Sequence, residues 1–144
     1  MKAIYWLFFG LLLASCNEKT QNVEENSSKQ SPFEMYKISE MAALMEKMYT
    51  NNQAIKQKIE QGNTDLGVFP EEYKTIHVAT LTDPTDRDDF FNEQAKKFIA
   101  AQELVFSETT HQKENFNNMV DACIACHQKK CGGPIVRIKK LYIK

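Results

Sequence analysis

Thr109-Thr110-His111-Gln112-Lys113-Glu114-Asn115-Phe116-Asn117-Asn118-Met119-Val120-Asp121-Ala122-Cys123-Ile124-Ala125-Cys126-His127 joins a helical apolar stripe to a cluster of sulfur and imidazole. Phe116, Val120, Cys123 and His127 recur at spacings of three and four, with Met119, Ile124 and Cys126 alongside, which is one face of an α-helix. Thr109-x-x-Gln112 matches a capping box that starts this helix, and Cys131-Gly132-Gly133-Pro134 stops it. Working outward, Ser107-Glu108-Thr109 is too short a link for anything but an antiparallel neighbour. That neighbour carries Phe91, Ala95, Phe98, Gln102 and Val105 on its apolar face, with Thr85-x-x-Asp88 as its cap. Further upstream, Phe69-Pro70-Glu71-Glu72 opens a short helix that reaches about Ala79. From Phe33 to Gly62 there is neither Gly nor Pro before the terminal Gly62, and Ile38, Met41, Met45, Met48, Asn52, Ile55 and Ile59 form the stripe of the first helix. The reading is an all-α chain of four helices. Ile135, Ile138, Leu141 and Tyr142 in the tail cover one side as a short helix or a strand.

Cys123-Ile-Ala-Cys126-His127 has the C-x-x-C-H form that attaches haem covalently, two thiols bonding the porphyrin while the adjacent imidazole ligates iron. C-x-x-C alone also serves zinc sites and redox pairs, but neither needs a His directly after the second Cys. A zinc site built from Cys123, Cys126, Cys131 and a His is the remote alternative. Cys131 is otherwise left over, as an intermolecular disulfide that would make a homodimer, a redox-sensitive thiol or an inert buried one.

The other end of the chain agrees with haem attachment outside the cytoplasm. Met1-Lys2 precedes an apolar run from Ala3 to Ala14, too short to span a bilayer and laid out as a signal peptide. Leu13-Ala14-Ser15-Cys16 resembles the lipobox of bacterial lipoproteins. The resemblance implies cleavage after residue 15 and lipidation of Cys16, hence a protein held in the bacterial cell envelope and facing the periplasm. Asn17 after the lipidated Cys leans toward the outer membrane. Residues 16–31 contain one bulky apolar side chain, Val23, and read as a flexible tether. The domain then runs over residues 32–144.

The formal charge of −1 becomes −2 once residues 1–15, with Lys2, are removed. No global basic surface points to nucleic acid. Lys129, Lys130, Arg137, Lys139, Lys140 and Lys144 crowd the end after the haem motif, where a redox partner protein could dock.

A haem motif inside the last of four helices resembles the cytochrome c-prime family. Tyr36-Lys37-x-x-x-Met41-x-x-Leu44-x-x-x-Met48 is similar to that family's first-helix pattern, in which a basic residue is followed four positions later by the residue facing the iron. The resemblance implies an up-down four-helix bundle with one haem c on its last helix, thioethers at Cys123 and Cys126, His127 as proximal ligand and Met41 on the distal side. Met45 and His77 are the alternatives for the distal ligand, and His111 falls at the wrong end of the fourth helix. With a thioether on iron the protein is an electron carrier. With Met41 only packing over the ring the iron is open, and the resemblance implies binding of nitric oxide or carbon monoxide. No acid–base constellation argues for an enzyme.

Overall fold

The computed structural model describes residues 37–144, so the expected signal peptide and tether, Cys16 and residues 32–36 lie outside the described residues. Within them every regular element is helical: α1 (Glu40–Glu60), a 3-10 helix (Glu71–His77), a 3-10 turn (Pro84–Asp86), α2 (Asp89–Ser107), α3 (Gln112–Lys130), α4 (Ile135–Ile138) and a final 3-10 turn (Lys139–Leu141). No described helix is long and apolar enough to cross a membrane.

α1 begins where the Ser39 hydroxyl accepts from the Ala42 amide, leaving Ile38 half exposed outside the helix. It ends in a Schellman motif: Gly62 takes φ +76°, its amide donates to Ile59 and the Asn63 amide donates to Lys58. The short second helix expected from the sequence is a seven-residue 3-10 helix, so the described residues hold three long helices. Its buried residues explain the tighter winding. Tyr73, Ile76 and the following Ala79 are spaced by three, which matches three residues per turn and puts all of them on the core side.

Arg87 fastens the end of this segment, its guanidinium donating to the carbonyls of His77 and Ala79 at 2.6 Å each. α2 is capped by Asp88 itself, which accepts from the Phe91 amide at 2.8 Å, while Thr85 pairs with Asp83 in the preceding turn. The Asp88 carboxylate also takes Lys130 at 2.7 Å. The last residue of α3 therefore lies against the first turn of α2, and the two helices run antiparallel. The expected capping box at Thr109 does not form. His111 precedes α3 in the left-handed region at φ 57°, with no side-chain cap, and the Gln112 side chain reaches to the Thr64 carbonyl instead.

Core packing joins the helices through Met48, Ile55, Phe91, Phe98, Val105, Phe116, Met119 and Val120. Amid these apolar groups Asn52 on α1 and Gln102 on α2 exchange two hydrogen bonds of 3.0 Å, and each is at most 2 % exposed. The pairing satisfies two amides that share the apolar stripes of their helices. The tail is helical, not a strand. It buries Ile138, Leu141 and Ile143, and Asn117 clasps the Ile143 backbone with both its carbonyl and its amide.

Candidate haem-binding cavity

Three residues on α3 are brought to one place by helix geometry. Cys126 lies three positions after Cys123 and His127 four, so with 3.6 residues per turn all three face the same side. That side is an open cavity of about 100 Å³ bordered by α1, α2, α3 and the tail. α2 contributes Phe91, Ala95 and Phe98, the tail contributes Ile138 and Leu141, and the wall is mainly apolar.

The His127 ring is oriented by the residue that terminates its helix. Cys131 leaves α3 in an extended conformation, and its carbonyl lies 3.0 Å from His127 Nδ1, with its Sγ at 3.2 Å. A carbonyl can only accept and outcompetes the weak S–H donor, so Nδ1 carries the proton and the Nε2 lone pair is left for a metal. Such an outer contact is how metal-binding imidazoles are held in one tautomer. Burial pushes the Cys123 thiol up to about 12, and burial first, then neighbouring Cys131, raises Cys126. Cys131 is exposed, which removes the inert buried thiol from its readings. Among the described residues no three His, Cys, Asp or Glu side chains cluster so as to hold a metal ion, so the zinc arrangement is not assembled here.

Across the cavity, α1 presents Met45, Met48, Tyr49 and Asn52. Met41 is 6 % exposed in the core but does not line the cavity. It shares a helix face with Met48, yet stands two turns, about 10 Å, nearer the helix start. His77 does not line the cavity either; Arg87 holds its backbone carbonyl. His111 is exposed at the start of α3.

Arg137 is a wall residue that motif reading did not single out for the site. It is the cavity's one Lys or Arg among the described lining residues, its guanidinium 3.9 Å from the Tyr49 ring centroid and paired with Glu46. Arg137 holds the Glu46 carboxyl below the usual range. The only sequence signal for it was its place in the basic tail. Comparison with family models, with curated proteins and with solved structures finds no match to this chain.

Proposed function

We propose that this protein is an exported, lipid-anchored monohaem c-type cytochrome that carries single electrons between redox partners. The observation that supports it most is the convergence of Cys123, Cys126 and His127 on one apolar cavity, with the Cys131 carbonyl leaving His127 Nε2 free. The donor set fits a haem: two thiols one turn apart, an imidazole held through Nδ1 and thioethers on the facing helix. A haem held there supplies one-electron exchange at iron. The chain's own part would be to anchor the group on α3, to exclude water with Phe91, Phe98 and Leu141, and to offer a second iron ligand from the facing helix. That ligand is assigned to α1, from Met45 or Met48, because these two stand on the wall where Met41 does not. The fold reading is an up-down bundle similar to the cytochrome c-prime family, with the 3-10 segment in place of its second helix. Cys16 is the proposed lipid site.

The carrier role is tested by absorption spectra of the purified holoprotein, oxidised and reduced, with and without carbon monoxide. A low-spin haem that resists the gas, and that becomes high-spin and gas-binding in Met45→Ala or Met48→Ala, is the expected result. A wild-type haem that is already five-coordinate would favour the second reading, a gas-binding protein. The apolar Phe91, Ala95 and Phe98 wall suits a small uncharged ligand.

A further inference from the structure

The six basic residues of the C-terminal region separate into two groups. Lys130 is neutralised by Asp86 and Asp88, Arg137 by Glu46, and Lys129 lies 5.9 Å over the Phe90 ring. Lys139, Lys140 and Lys144 are exposed and have no acidic partner among the described residues. These three line one groove with Lys56 and Lys113, against a single carboxylate, Glu60. Lys56 and Lys113 build it: Lys56 Nζ donates to the carbonyls of Lys140 and Tyr142 at 3.0 and 2.8 Å, and Lys113 Nζ to that of Lys144 at 2.8 Å. Lys56 also pairs with Glu60 at 3.8 Å, so four of the five ammonium groups have no side-chain carboxylate partner among the described residues. On a chain whose formal charge is −1, five lysines against one glutamate make a concentrated positive field.

The groove also backs onto the candidate haem cavity. Leu141 lines the cavity, while its chain neighbours Lys140 and Tyr142 line the groove. A single turn of the tail, Lys139–Leu141, is thus the partition between the two. We propose that this groove is the port through which the reduced haem passes its electron to a partner protein with an acidic docking face. The inference rests on the haem reading and adds where the electron leaves and what charge the acceptor carries. The step is a one-electron transfer: haem iron goes from ferrous to ferric and the acceptor is reduced by one electron, with no bond made or broken.

Stopped-flow oxidation of the reduced holoprotein by two outer-sphere probes tests it, with hexacyanoferrate(III) as the anionic oxidant and tris(phenanthroline)cobalt(III) as the cationic one. The triple variant Lys139→Gln, Lys140→Gln, Lys144→Gln is expected to lose about tenfold or more in rate with the anion at low salt, within the range of electrostatic steering. Its rate should also lose most of its ionic-strength dependence. The cationic probe should not slow. Lys47→Gln, Lys96→Gln, Lys97→Gln makes the same change in net charge elsewhere, and should slow the anion much less. Equal slowing in both triple variants, or none in the first, overturns the port. Binding of the lipid-free protein to anionic phosphatidylglycerol vesicles that is lost in the first triple variant, with unchanged probe kinetics, would assign the groove to a membrane surface instead. Absence of a redox-active haem in the wild type is a separate outcome and would overturn the haem reading itself.

Discussion

Replacing Asn52 with Leu removes one half of a reciprocal amide pair and leaves the other half stranded. Gln102 is fully buried, and its side-chain oxygen and nitrogen both have their described partners on Asn52 at 3.0 Å. Each buried polar group left unpaired costs about 1–3 kcal/mol, so two of them cost on the order of 3 kcal/mol even after some relaxation. A domain of this size has about 5–15 kcal/mol in total, so the loss is large. Gln102→Leu strands Asn52 in the same way. The double variant Asn52→Leu, Gln102→Leu removes every unpaired group, and replacing both partners with apolar groups is close to neutral. The coupling between the two sites should therefore reach about 2–3 kcal/mol, at the top of the range for contacting residues. Urea denaturation of the holoprotein at neutral pH, with the slope checked to be unchanged across the set, measures it. Single variants that each lose less than about 0.5 kcal/mol, with additive effects in the double, would refute the claim that each amide exists to satisfy the other.

Three further outcomes follow from other parts of the fold. Gly62→Ala should cost about 1–2 kcal/mol in the same assay, since φ +76° is left-handed and a Cβ there meets nothing within 4 Å, so backbone strain is the whole effect. Lys130 first, then the Phe91 amide, holds Asp88 below the usual carboxylate range, so its stabilisation is complete above about pH 4 and is lost as pH falls through the lowered folded value. The difference in urea midpoint between wild type and Asp88→Asn should therefore be constant from neutral to weakly acidic pH and shrink in strong acid; a difference independent of pH would count against the Lys130 pair. Arg137→Gln should lower the haem midpoint potential in a redox titration, because a cation on the cavity wall disfavours the ferric charge. Arg137→Lys should restore part of the change, and a potential indifferent to both substitutions would show that the guanidinium does not face the haem.

Features encoded locally are legible in the sequence. Gly62 at the end of α1 and the apolar stripes of α2 and α3 needed only helical periodicity, and the C-x-x-C-H spacing places its three groups on one face wherever the helix sits. What escaped was set by tertiary contacts. Periodicity identifies the face that Met41, Met45 and Met48 share or adjoin, but the level of the cavity along α1 depends on how the tail and α2 pack beside it. Thr109-x-x-Gln112 has the letters of a cap, yet the left-handed His111 redirects the chain, and Gln112 is spent on Thr64. The spacing of Tyr73, Ile76 and Ala79 carries the 3-10 signal, but over so few residues two turns of a 3-10 helix and of an α-helix look alike. Arg87, Asn117 and Arg137 act on backbone or side chains distant in sequence, so no local pattern announces them.

Cys123 and Cys126 are proposed to hold one haem covalently, with His127 on its iron. Pyridine haemochrome analysis of the chain matured with a c-type assembly system, alongside a haem-stained denaturing gel, tests it directly. One c-type haem per chain that stays with the polypeptide through denaturation, and is lost when both cysteines are replaced with Ala, is the expected result. A colourless protein, a haem released on denaturation, or a chain that binds zinc in its place would contradict it.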